Sequence, residues 1–241
     1  MRSPERRGIL RPVLAATALM IGAIGLAGCS GSENDAASQH DKQSACMKNG
    51  LEGRSLSQVL AVPGEDFKLK ATYSTKYDVD SWKITDTKTL DIQLEIEPDK
   101  PTDETPADEP IVLIENLHAD ATVKSHRSAT NGMPADSFDD HLHAGDQPGF
   151  LISTEHPYRE QFVIGGFSET LTSAWGSYVN GYGSWEEEEK RLTEQNLRDN
   201  GAYGEELSIV ADVLVRDPSE QYFHKDVVTN SFIVPLAGQK C

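Results

Sequence analysis

From Phe67 onward, apolar and polar residues alternate along much of the chain. Phe67, Leu69, Ala71 and Tyr73 alternate with Lys68, Lys70 and Thr72. Leu90, Ile92, Leu94 and Ile96 alternate with Asp91, Gln93 and Glu95. In an extended chain a period of two separates the two sets onto opposite faces, so both runs predict half-buried strands. Residues 111–124 predict a longer strand. One of its faces carries Ile111, Leu113, Leu117, Ala119, Ala121 and Val123, and the other Val112, Ile114, Asn116, His118, Asp120 and Thr122. Residues 150–152, 162–167 and 171–178 predict shorter strands, and 207–215 and 231–236 the closing ones. Residues 55–62 fit either a short helix or a first strand. Asn131-Gly132 and Asn180-Gly181 mark turns, because both residue types tolerate positive φ. Four prolines among acids in residues 98–110 predict an exposed loop that cannot join a ladder.

A different period follows Ser184. Ser184 and Glu187 have the spacing of a capping box, and Gly201 fits a helix C-terminus. Glu186, Glu187, Glu188 and Glu189 would occupy the first turn, where the helix dipole favours negative charge. Glu186–Lys190, Glu187–Arg191 and Glu194–Arg198 are spaced i,i+4. The apolar stripe is thin: Trp185, Leu192 and Leu197. The expected fold is mainly β, an antiparallel β-sandwich of immunoglobulin-like character with one surface helix near residues 185–200. No alternation of strand and helix points to a parallel sheet, and no repeat is present.

The start of the chain reads differently from the rest. Arg2, Arg6, Arg7 and Arg11 precede an uncharged apolar run over residues 13–27. That run is shorter than the roughly 20 residues of a stable membrane span, and it reads as a secretory signal peptide. It ends in Leu26-Ala27-Gly28-Cys29, which resembles the lipobox of bacterial lipoproteins. The resemblance implies cleavage before Cys29 and acylation of that cysteine with two or three chains. Each buried CH₂ contributes about 0.8 kcal/mol, so two or more chains anchor stably. Arg6-Arg7-Gly8-Ile9-Leu10-Arg11 also resembles a twin-arginine export signal, with Glu5 where a hydroxyl residue is usual. Export by the general or by the twin-arginine route is open at this point.

Charge and cysteines sharpen this picture. The chain carries a net charge of −17, and residues 1–28 hold four Arg and one Glu, so cleavage would leave a mature chain at −20. Such a surface disfavours nucleic acid and anionic headgroups, leaving the acyl chains as the membrane contact. Residues 30–45 hold small, polar and charged side chains that cannot form a core and read as a tether. The expected organisation is a signal peptide at 1–28, a lipidated start and tether at 29–50, and one sandwich domain at 51–241. With Cys29 acylated, Cys46 and Cys241 remain, and in an exported protein an even pair suggests a disulfide.

Local catalytic signatures are absent: no G-x-S-x-G, S-x-x-K, H-E-x-x-H, P-loop or dinucleotide fingerprint. The strongest polar constellation is Asp139, His141 and His143, which share a face if the segment is extended. His118 and Asp120, with Asn116, make a second same-face set. If the two segments are neighbours, zinc or copper would suit the combined ligands. The alternative is a surface loop between Pro134 and Pro148 whose histidines bond nearby backbone. Trp175, Tyr182 and Trp185, with Tyr178, lie among glycines. They fit a stacking platform for sugars, although the favoured reading is that Trp175 and Trp185 anchor loop and helix to the core. The acidic runs lack EF-hand spacing. The sequence therefore supports a non-catalytic lipoprotein of the extracytoplasmic membrane face, needing no cofactor, with an envelope protein or cell-wall polymer as partner. Metal binding and an enzyme with a dispersed active site are the alternatives.

Overall fold

The computed structural model describes residues 49–97, 110–141, 148–181 and 183–239. The signal peptide, Cys29, the tether, Cys46, His143, Tyr182 and Cys241 lie outside these residues, as does most of the proline-rich loop. Among the described residues, nine strands and two α-helices follow in the order β1 (Ser55–Ala61), β2 (Lys68–Ser74), β3 (Thr87–Glu97), β4 (Ile111–Ser125), β5 (Pro134–His141), β6 (Phe150–Ile152), β7 (Tyr158–Gly165), α1 (Glu169–Gly181), α2 (Glu194–Asp199), β8 (Ala202–Arg216) and β9 (His224–Pro235). The fold is mainly β, an antiparallel sandwich. One sheet has the order β1-β2-β3-β7 and the other β5-β4-β8-β9, with β6 also paired to β4.

The alternating runs behave as their period demands. Leu69, Ala71 and Tyr73 of β2 and Leu90, Ile92 and Leu94 of β3 face inward and are buried. Residues 55–61 are strand. On β4 the alternation slips at a bulge between Ile114 and Asn116. Val112 and Ile114 before it and Leu117, Ala119, Ala121 and Val123 after it therefore all join one core. An extra residue in one strand shifts the face that follows it, which is why the two expected faces of this strand exchange partway along. The sheets also meet at an edge, where the Gly165 N–H of β7 donates to Asp136 Oδ2 of β5 (2.5 Å).

The helices correct the sequence reading twice. Residues 171–178, expected as strand, lie in α1. Its buried Leu171, Trp175, Tyr178 and Val179 fall at i, i+4, i+7 and i+8, a helical face. The helix expected near 185–200 is confined to α2, and Ser184 does not start it. Thr193 is the N-cap, its Oγ1 accepting the Asn196 N–H (3.0 Å). Of the three expected i,i+4 ion pairs, Glu194–Arg198 is in place at 3.2 Å, and Lys190 instead meets Glu187 at i,i+3. Residues 187–190 form a turn, because four adjacent glutamates repel and no apolar face holds them to the core. Gly201 does end the helix, at φ +87°. Thr193→Ala should cost about 1 kcal/mol in denaturant unfolding, the usual loss for an N-cap. Ser184→Ala should lie within about 0.5 kcal/mol of the parent, as for a surface position; equal losses at both sites would return the cap to Ser184.

Candidate functional site

The structure brings together part of the histidine set. β4 and β5 pair so that His118 stands opposite Asp139, and Asn116 opposite His141. On this outer face His118 Nε2 hydrogen-bonds Asp120 Oδ2 at 2.8 Å, and His118 Nδ1 lies 4.0 Å from Asp139 Oδ1. The imidazole thus turns its two nitrogens to two different carboxylates. This orients the ring but does not aim one nitrogen and both carboxylates at a common point. The position of His141 is fixed by the register, two residues along β5 from Asp139.

Two of the aromatic residues, Trp175 and Tyr178, are buried in packing contacts. Trp175 is 1% exposed, and its Nε1 donates to the Lys190 carbonyl (3.3 Å). Tyr178 lies 5.3 Å from the Trp175 ring and 5.6 Å from that of Trp185, which packs partly buried against the core. Trp175 and Trp185 act as anchors for α1 and the turn after it, and Trp175 offers no free face to a sugar.

Two constellations escaped the sequence reading. At one end of the sandwich a lysine and a glutamate meet inside the core. Lys88 extends the inward row of Leu90, Ile92 and Leu94 on β3, and Glu205 extends that of Leu207 and Ile209 on β8. Lys88 Nζ lies 3.2 Å from Glu205 Oε2, and neither side chain has any exposure. Nζ also donates to the Lys83 carbonyl (2.6 Å), and Trp82 Nε1 donates to Glu205 Oε2 (2.7 Å). Burial pushes the Glu205 carboxyl above its ordinary range, while Lys88 and the Trp82 N–H pull it back. Both charges are consumed within the pair and closed off from solvent, so the pair is structural in character.

At the opposite end stands a group that solvent can reach. His224 and Asp226 continue the inward row of Val228, Phe232 and Val234 on β9 past the end of the core. Glu65 reaches them from the turn between β1 and β2, where Gly64 takes φ +82°. His224 Nε2 lies 2.7 Å from Glu65 Oε1 and 3.5 Å from Asp226 Oδ2, and Nδ1 lies 3.6 Å from Glu220 Oε2. The Glu65 hydrogen bond is the largest cause of a raised His224 pKa, aided by the charges of Glu65, Asp226 and Glu220. Glu65 and His224 are 159 positions apart in the chain, which leaves no local motif. The available signal was parity, since His224 and Asp226 share the register of Val228 and Phe232.

The outer face of the first sheet holds a shallow depression of about 390 Å³, lined by Thr72, Ser74, Asp91, Gln93, Arg159 and Gln161 among others. Gln161 Nε2 donates to Asp91 Oδ1 (2.7 Å) and Arg159 Nε to Gln93 Oε1 (3.1 Å), which fixes these side chains across β3 and β7. The arrangement offers hydrogen-bond donors and acceptors side by side, without a nucleophile held by a base.

No protein-family description matches this chain, and no curated protein matches its sequence. Among solved structures, a crystal structure of a protein from Archaeoglobus fulgidus is similar over 71% of this chain and 96% of its own, at 8% identity and a TM-score of 0.27. A likeness that faint carries no functional argument.

Proposed function

We propose that this chain is a lipid-anchored protein of the extracytoplasmic membrane face whose sandwich binds a polar ligand without transforming it. The anchor rests on Leu26-Ala27-Gly28-Cys29 and the tether after it. Among the described residues no helix is long and apolar enough to cross a membrane. The observation that carries the binding reading is the depression between Thr72, Asp91, Gln93, Arg159 and Gln161. Its amide, hydroxyl, guanidinium and carboxylate groups, held by their neighbours, suit a hydroxyl- and amide-rich partner such as a cell-wall polymer. Pre-positioned side chains lose less freedom on binding.

Two measurements test the proposal. Cys29→Ser should move the protein from the membrane to the soluble fraction; retention at the membrane would remove the anchor. Arg159→Ala with Gln161→Ala should weaken binding to isolated cell-wall polysaccharide about tenfold or more, the loss expected for a charge-assisted hydrogen bond. Equal binding by parent and variant would remove the depression as the site.

A second reading, zinc or copper held by His118, Asp120 and Asp139 with His141 and His143, is favoured by one observation: His118 and Asp139 stand opposite each other on paired strands. His143 lies outside the described residues.

A further inference from the structure

We propose that Glu65, His224 and Asp226 form a binding site for a divalent transition-metal ion, zinc being the cation their chemistry suits best. The site is separate from the depression and from the His118 face. One imidazole nitrogen and one oxygen from each carboxylate lie within 4.8 Å of one another. Zinc bonds of about 2.0–2.1 Å put neighbouring ligands of a tetrahedral ion about 3.3 Å apart. The present separations from Nε2, 2.7 Å to Glu65 and 3.5 Å to Asp226, bracket that value. The Glu65 contact would have to open by roughly 0.6 Å to admit the ion, a shift within reach of side-chain rotation.

Three further observations point to a cation. Asp226 Oδ2 is shut off from solvent and has no hydrogen-bond donor. A carboxylate oxygen in that condition costs free energy unless a positive group meets it. Nε2 carries at most one proton, and Glu65 Oε1 at 2.7 Å is the nearer acceptor for it. An ion at the centre would satisfy both oxygens together. Next, Glu220 faces Nδ1 at 3.6 Å. A carboxylate there favours the proton on Nδ1 and leaves the Nε2 lone pair for a metal, the arrangement that commonly orients zinc-bound histidines. Last, the ligands are rooted in different sheets. Glu65 belongs to the turn of the first sheet and His224 and Asp226 to β9 of the second, so a bound ion would cross-link the sandwich at its open end. Side-chain exposures of 13%, 42% and 19% for Glu65, His224 and Asp226 leave a path for entry and room for a water as fourth ligand. The imidazole argues against calcium and magnesium, which prefer all-oxygen shells.

The test uses the full chain in detergent, purified without a histidine tag and titrated with Zn²⁺ by calorimetry. The expected result is one equivalent bound and a higher melting temperature with Zn²⁺ than without. His224→Ala and Asp226→Asn should each abolish that equivalent and the shift. Glu220→Gln should weaken binding about 10–100-fold, as loss of an orienting partner does. His118→Ala should leave this equivalent intact, which separates the site from the β4–β5 face, and circular dichroism should show every variant folded. Absence of binding by the parent chain would overturn the proposal. So would binding that survives His224→Ala and Asp226→Asn, binding abolished by His118→Ala, or a preference for Ca²⁺ over Zn²⁺.

Discussion

Lys88→Met should destabilise the protein by about 3–5 kcal/mol, the usual cost of removing one partner from a buried ion pair. The substitution keeps the unbranched shape of the side chain and all but its terminal atom. It removes the charge that lies 3.2 Å from Glu205, leaving a carboxylate with no exposed surface and one remaining donor, Trp82. Glu205 Oε1 already has no hydrogen-bond partner, so the carboxylate has no second donor to fall back on. The doubly substituted Lys88→Met/Glu205→Gln should recover most of the loss. Its amide oxygen still accepts from Trp82, and two desolvated charges disappear together. Denaturant unfolding of the four proteins in a double-mutant cycle measures this. Additive losses in the double variant would mean the two groups do not act as a pair.

The pH dependence has a definite sign. Burial raises the folded-state pKa of Glu205, and Lys88 is the foremost opposing influence. A carboxyl raised on folding contributes stability that is complete below its unfolded value and is lost as pH rises toward the folded one. With Lys88 gone the folded value climbs further. The deficit of Lys88→Met relative to the parent should therefore be largest near neutrality and shrink on acidification. A deficit that stayed flat with pH would show that lost packing, not charge, is the cause.

The strands were legible because a sandwich buries one face of each, and burial imposes a period of two. Leu69 to Tyr73 and Leu90 to Leu94 carry that period without interruption. The β4 bulge was not legible, since one extra residue at Glu115 changes parity without changing composition. The α1 helix was misread because aromatic and β-branched residues such as Trp175, Tyr178 and Val179 suit strands, and their helical spacing was outweighed. The acidic stretch after Ser184 showed capping chemistry but had too little apolar surface to be held as helix. The sites divide along the same line. His118 and Asp120 were visible as neighbours in sequence, and the link to Asp139 depended on a strand pairing that the structure supplies. Lys88–Glu205 and Glu65–His224 join residues far apart in the chain. Yet each charged member on a strand sits in register with buried apolar residues, as Lys88 does with Leu90 and His224 with Val228. A charged residue in the inward register at a strand end is a readable sign of such a pair, although its partner is not.

Removing the proposed Cys46–Cys241 bridge should cost up to about 5 kcal/mol, the chain-entropy value for a closed loop of this length, less any strain in the native state. Neither cysteine lies among the described residues, and support for the pairing comes from where the chain enters and leaves the sandwich. The Gly50 N–H donates to the Ile233 carbonyl of β9 (2.9 Å), and Leu51 is fully buried. Beyond β9, Leu236 N–H donates to the Tyr203 carbonyl and Ala237 N–H to that of Trp82. The two ends are therefore tied to the same region, around β9 and its neighbours. Cys46 is four residues before Gly50 and Cys241 five beyond Leu236. At about 3.3–3.6 Å per extended residue, either segment has ample reach. Cys46→Ser, Cys241→Ser and the double variant should lose the same stability, because a single bridge is broken in each. Reductant should lower the parent to their level and leave the variants unchanged. Two titratable thiols in the non-reduced mature protein, or a parent insensitive to reductant, would exclude the bridge. Unequal losses in the two single variants would instead indicate that each cysteine packs independently.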